Sequence, residues 1–256
     1  MDKLKIFVFI LVAFVGLSSS ANANTSILAR DDFVGITFWV ISMGMLAATT
    51  FFFFERSSVV AAWRTPVTVA GLITGIAFIN YMYMRNAWVQ TEDSTTVYRY
   101  IDWFITMPLQ MVEFYLILAV VRKISNGIFW RLLIGSLVMV GGAYAGETEY
   151  INQMLGLVIS IGGWIFVLYE IFSGEAGKAA AKSGNKSFAT AFAILRIIVT
   201  IGWSIYPMGY IFGHLTDGVD DNSLNVIYNL SDFVNKIVFG LVIWVAAVQN
   251  TNSRSK

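Results

Sequence analysis

The chain contains no cysteine, one histidine (His214), three prolines and few charges: 13% of its 256 residues are Asp, Glu, Lys or Arg. The missing thiols exclude disulfides, cysteine nucleophiles and Cys-based zinc sites together. A single histidine cannot build a histidine cluster around a metal, so no metal site is expected. Soluble domains carry about 25% charged and about 45–50% apolar residues. Here the apolar share is 57%, the mean hydropathy +0.69 and the net charge +1. That excess implies apolar surface facing lipid, and the near-neutral charge gives no sign of a nucleic acid or an acidic substrate. The chemistry left to such a chain must use carboxylates, lysine, hydroxyls or a bound cofactor.

What it does have is long apolar runs. A transmembrane helix needs about 20 predominantly apolar residues, and seven segments qualify: approximately 33–54, 65–84, 97–121, 128–145, 151–172, 188–212 and 224–248. Every connection between them is short, which leaves no room for a soluble domain. The expected fold is therefore an all-α membrane protein, a seven-transmembrane helix bundle in a lipid bilayer. Ahead of it, Lys3 and Lys5 precede a short apolar run over 6–17 and the A-x-A-like Ala21-Asn22-Ala23. This reads as a cleaved signal peptide over 1–23, followed by a mature domain over 24–256. The alternative, an eighth span, fits poorly with so short a run ending in Ser18-Ser19-Ser20.

Loop charges set the orientation. One set of loops and ends holds Arg56, Arg64, Arg122, Lys123, Arg131, Lys178, Lys182, Lys186, Arg254 and Lys256. The other is acidic, with Glu92, Asp93, Glu147, Glu149, Asp217, Asp220 and Asp221, most of them read as solvated loop residues. The positive-inside rule then puts the C-terminus in the cytoplasm and the N-terminus outside.

Ionisable residues within the spans are the informative ones, because each costs about 2.5–3.5 kcal/mol at a helix centre and usually marks function. The third, sixth and seventh spans hold Arg99, Asp102, Glu113, Arg196, Asp232 and Lys236. Asp232 and Lys236 are four apart and share a helix face. They suit an ion pair that joins helices, or a lysine that condenses with an aldehyde to form a Schiff base. Arg99, Asp102 and Thr106 also share a face. Glu113 follows Asp102 by eleven residues, about 16 Å along the axis on the same side. With Lys236 between their levels, one titratable nitrogen has an acid on each side, the minimum arrangement for moving a proton in a direction. Trp203, Tyr206 and Pro207 on the sixth span, where the proline is expected to kink the helix, face Trp103 as possible walls of a rod-shaped apolar pocket. Such stripes are more often packing, but this one coincides with a lysine and its carboxylates.

These residues resemble one family. Arg99-Tyr100-Ile101-Asp102-Trp103 with Thr106, Pro108 and Glu113-Phe114-Tyr115 is similar to the third helix of the proteorhodopsins, a microbial (type 1) rhodopsin family. Trp203, Tyr206 and Pro207 resemble the sixth helix, and the segment from Tyr228 through Asp232 and Asn235 to Lys236 resembles the seventh. Gly75-Ile76-Ala77-Phe78 and Tyr81-Met82-Tyr83-Met84-Arg85 are similar to the second.

The resemblance implies a light-driven outward proton pump in the inner membrane of a bacterium, a transporter rather than an enzyme. Lys236 would carry all-trans retinal as a protonated Schiff base. Asp102 would be counterion and proton acceptor, Glu113 the donor, and Asp232 a second counterion held by Tyr81 and Tyr206. Arg99 would tune the outer half, and Trp103, Trp203 and Tyr206 would enclose the chromophore together with Thr106, Pro207 and Asn235. Gln110 stands where glutamine goes with blue absorption and leucine with green, so a blue pigment is expected. Family members assemble as pentamers or hexamers, which the resemblance carries over as the expected partners.

Two positions depart from the family pattern. Asn80 replaces a histidine that neighbours the acceptor and takes part in contacts between protomers, so Asp102 is expected to titrate differently. Arg196 stands where the family has an uncharged residue, and it either snorkels to the interface or lies near Glu113. The rival functions are a slow-cycling photosensor that signals through a partner, against which Glu113 speaks, and a channel or receptor without retinal.

Overall fold

The computed structural model describes residues 28–91, 95–216 and 218–254. The signal peptide expected over 1–23 lies outside the described residues. From Phe33 onward the chain is one compact unit, built on seven helices long and apolar enough to cross a membrane: α1 (Phe33–Glu55), α2 (Ala61–Thr91), α3 (Thr96–Val121), α4 (Asn126–Glu147), α5 (Gln153–Ala181), α6 (Lys186–Leu215) and α7 (Asp221–Ser253). The chain is thus a multi-pass membrane protein. Sequential helices pack side by side, and α7 packs on α6, α1 and α2 to close the ring.

Local chemistry explains where the helices begin. Ser125, Asn152, Asn185 and Asp220 each accept a backbone N–H of the following turn, at 3.0, 3.2, 3.0 and 3.0 Å. These caps satisfy donors that the first turn of a helix leaves without partners. The Ser223 amide and hydroxyl hold the exposed Asp220 carboxyl below its ordinary range. Several helices run past their apolar stretches: α2 was expected over 65–84 and spans Ala61–Thr91. Backbone hydrogen bonding does not stop where hydropathy does. Proline matters most in α6, where Pro207 has no N–H to offer the Trp203 carbonyl. That carbonyl accepts from the Tyr206 amide instead, at 3.2 Å, and the helix is irregular on both sides, with π-wound turns at Ile198–Gly202 and Ile211–Leu215. The kink expected at Pro207 therefore takes the form of a broken hydrogen-bond ladder.

The bundle buries polar side chains and turns apolar ones outward, as lipid demands. Ile101, Ile105, Leu230 and Val234 are exposed on the same helices whose inner faces bury Asp102, Thr106, Asp232 and Asn235. Between α4 and α5 the backbones meet directly. A methyl group at Gly156 would lie 2.6 Å from the Gly146 Cα and 2.8 Å from the Gly142 carbonyl oxygen. Only small residues permit this approach, a common way of joining membrane helices. At the end of the bundle rich in Lys and Arg, Arg131 binds Glu170 at 2.9 Å and Glu175 at 2.6 Å. Glu170 also accepts the Ala176 amide at 2.9 Å, securing the break in α5 after Phe172.

Candidate functional site

Three of the six ionisable residues expected within the spans meet at one point. Lys236 Nζ is hydrogen-bonded to Asp102 Oδ2 and lies 3.1 Å from Asp232 Oδ2. All three side chains are sealed from solvent. The winding of α7 places them: Phe233–Val238 is a π-helical segment that begins directly after Asp232 and contains Lys236. Such bulges are rare and collect at functional sites; the sequence carried no signal of this one.

Asp232 is the most heavily bonded group in the cluster. Tyr81 and Tyr206 donate their hydroxyls to its two oxygens, each at 2.7 Å, and the Trp103 indole N–H lies 3.2 and 3.3 Å from them. Asp102 differs: its Oδ1 has no hydrogen-bond partner among the described residues. Two carboxylates that face one amine are therefore unequal, one pinned by neutral donors and the other left with a free oxygen. Arg99 supplies the second positive charge, so two cations balance two anions, the condition for holding four charges out of water.

Arg99 bonds neither carboxylate. Its guanidinium donates to Asn225 Oδ1 (2.8 Å) and Asn229 Oδ1 (3.0 Å), and lies 3.5 Å from Thr95 Oγ1 and from the Tyr81 hydroxyl. It also stands over the Tyr228 ring, 5.3 Å from its centroid. Thr106 donates back to the Asp102 carbonyl at 2.9 Å, and Gln110 donates to the Asn235 carbonyl at 2.9 Å, one residue before Lys236. Asn80 bonds the Tyr98 carbonyl at 2.6 Å, so it touches α3 one turn before Asp102 instead of bonding the carboxylate. Glu113 is fully buried, and neither of its oxygens has a partner among the described residues. Arg196 stacks its guanidinium on Phe192 and Phe172, 4.6 and 5.0 Å from the ring centroids.

Beside the cluster lies an aromatic cavity of about 540 Å³, counting the open space at its mouth. Trp103, Trp164, Trp203, Tyr206 and Pro207 are among its walls. Trp103 and Tyr206, which pack edge to face at 4.9 Å, border both the cavity and Asp232. An apolar chamber that shares two walls with Asp232, which is itself bonded to a buried lysine, suits an apolar aldehyde of retinal's kind. Trp203 Nε1 has no partner among the described residues.

Sequence reasoning missed other members. Glu147, read as a loop acid, is the last residue of α4, and its side chain is only 7% exposed. It accepts the hydroxyls of Tyr100 at 2.7 Å and Thr96 at 2.9 Å, and lies 3.2 Å from His214 Nε2. Apolar periodicity cannot reveal such a partner set, because the donors come from α3 and α6. Thr95 and Asn225 beside Arg99 went unnoticed for the same reason, and Tyr228 and Asn229, noted only as part of the seventh-helix pattern, were given no role at Arg99.

Comparison with known proteins agrees with this geometry. The family model described as bacteriorhodopsin-like protein matches residues 32–250. The chain is 48% identical to the blue-light absorbing proteorhodopsin of the gamma-proteobacterium Hot 75m4, across 95% of this chain and 97% of that protein. It is 46% identical to the green-light absorbing proteorhodopsin of the gamma-proteobacterium EBAC31A08, across 88% and 91%. Among solved structures, the blue light-absorbing proteorhodopsin from Med12 superimposes with a TM-score of 0.75 at 45% identity, covering 85% of this chain and 99% of that one. With a buried lysine between two carboxylates at the centre of seven spans, and likeness of this extent to proteins of one kind, the chain belongs to the bacteriorhodopsin-like family, within its proteorhodopsins.

Proposed function

We propose that the chain is a light-driven outward proton pump that holds retinal on Lys236 and absorbs blue light. The observation that carries the reading is the position of Lys236 Nζ, between a carboxylate with a free oxygen and one fully occupied by donors. A second buried acid, Glu113, lies further along α3. Lys236 would hold retinal, which would supply light absorption and a light-driven change of shape beside Nζ.

The remaining steps belong to the chain's own residues. Asp102 accepts the proton from Nζ, because its Oδ1 is open while both Asp232 oxygens already accept hydroxyls. Asp232 remains the fixed negative charge opposite the nitrogen, and Arg99, held by Asn225 and Asn229, keeps a positive charge on the exit side. Glu113 has neither a cation nor a donor beside it among the described residues. Its neutral, proton-carrying form is therefore the cheaper one, and it returns a proton to Nζ from the opposite side. Trp103, Trp203 and Tyr206 keep water out of the chamber. Moving one charge against 100 mV costs about 2.3 kcal/mol, which light must provide.

Loop charge supports a cytoplasmic C-terminus and an external N-terminus, in keeping with removal of residues 1–23 and a place in a bacterial inner membrane. The two relatives of different colour are almost equally similar, at 48% and 46%, so overall identity does not choose a colour. Gln110 does: its amide dipole, anchored next to Lys236, lowers the ground state of a nearby cation and widens the optical gap.

The test is illumination of unbuffered cells that express the chain with added retinal. Reversible acidification of the medium, abolished by a protonophore and by Lys236→Ala, is expected. A coloured membrane without any pH change would replace the pump with a photosensor that signals through a partner.

A further inference from the structure

We infer that Asn235 is a positioning residue, which directs the Tyr206 hydroxyl proton onto Asp232 and clips α6 to α7 beside Lys236. The inference rests on the retinal reading above and goes beyond it, since the role it gives Asn235 runs through Tyr206 and the Gly202 carbonyl.

Asn235 is almost fully buried, and its amide nitrogen is committed twice over. Its Nδ2 donates to the Gly202 carbonyl at 3.0 Å and to the Tyr206 hydroxyl oxygen at 3.2 Å. Its own carbonyl accepts the Gln110 amide at 2.9 Å. One side chain and one carbonyl thus join α3, α6 and α7 within a residue of the site lysine. Both helices are π-wound where they meet, α6 over Ile198–Gly202 and α7 over Phe233–Val238. At Gly202 any Cβ would collide with Asn235 Oδ1, so the clip requires glycine there.

Donor and acceptor rules give the contact a direction. The Asn235 amide nitrogen can only donate, and an ionised Asp232 can only accept. Tyr206 has one hydroxyl proton and stands between them, 2.7 Å from Asp232 Oδ1. With Asn235 donating to its oxygen, that proton has one place to go. A chain of aligned hydrogen bonds also polarises each member, so Asn235 strengthens the bond that holds Asp232 as the fixed negative charge. A leucine has nearly the same shape but no donor, and it would leave Tyr206 and the Gly202 carbonyl without this partner.

The experiment is a double-mutant cycle on retinal-reconstituted protein in lipid, read as the absorption maximum and as the tyrosine hydroxyl bands of the light-minus-dark infrared spectrum. Asn235→Leu is expected to move both. In a Tyr206→Phe background, where there is no hydroxyl to direct, the shift it causes in the maximum should shrink at least about threefold. Asn235→Ser, which keeps a short donor, should restore part of the tyrosine signature, and it carries the cycle if the leucine variant does not fold. Equal shifts in both backgrounds, or unmoved tyrosine bands, would overturn the inference and leave the pump reading intact. Failure of the unsubstituted chain to form any pigment would overturn both.

Discussion

Replacing Glu113 with glutamine separates a proton donor from a buried spectator. Glu113 is sealed, and neither oxygen has a partner among the described residues. The isosteric amide therefore breaks no hydrogen bond, and the stability change should stay within the cost of one buried polar group without a partner, about 1–3 kcal/mol. The kinetics should not stay constant. Eleven residues of α3 separate Glu113 from Asp102, about 16 Å of rise, and Phe114 beside it is fully buried and packs on Phe192 and Phe239. Without an internal acid, the proton for Lys236 must come from water across this apolar layer. A positioned acid typically contributes about 10²–10⁴-fold, so the return of the proton should slow by at least about 10²-fold. Its pH dependence should change as well. An internal donor gives a rate that is flat around neutrality, whereas supply from water makes the rate proportional to proton concentration, about tenfold slower per pH unit of rise. Flash photolysis in lipid between pH 6 and 9 reads both. A Glu113→Gln pigment that recovers at the unsubstituted rate, flat across pH, would refute the donor role.

Three further outcomes are expected. Gln110→Leu should move the absorption maximum to longer wavelength, and no red shift would remove Gln110 as the colour determinant. Tyr81→Phe deletes a 2.7 Å bond to a carboxylate; hydrogen bonds between membrane helices average about 0.6 kcal/mol, but those to charged groups are worth about 1.5–3 kcal/mol. A loss of about 2 kcal/mol should lower the thermal midpoint by roughly 4–8 °C, while Tyr83→Phe, at an exposed position, should leave it unchanged. Glu147→Leu strips the shared acceptor from Tyr100, Thr96 and His214 and should cost about 3 kcal/mol. Glu149→Leu should cost far less, and equal midpoints for the two variants would return Glu147 to the status of a loop acid.

Much of this protein was legible before any coordinates. Lipid imposes a plain rule on sequence: apolar runs of sufficient length must be helices, because backbone groups there have no water to bond. The spans were therefore countable, and Lys236, Asp102, Asp232, Arg99 and Glu113 stood out because charge inside such runs is costly. Helical spacing alone put Arg99, Asp102, Thr106 and Glu113 on one face. The sequence could not say which groups from different helices share a proton or a lone pair. That Asp232 is saturated by Tyr81, Tyr206 and Trp103 while Asp102 keeps an open oxygen depends on three helices meeting. So do the amide cage around Arg99, the burial of Glu147 beside His214, and the contact of Asn80 with the Tyr98 carbonyl. The π-wound turns of α6 and α7 were also invisible, since one extra residue in a turn leaves apolar periodicity almost unchanged. Composition and period fix what a helix is and which side it buries. Hydrogen-bond partners across helices are set by packing geometry at the scale of an ångström, and only the folded bundle contains it.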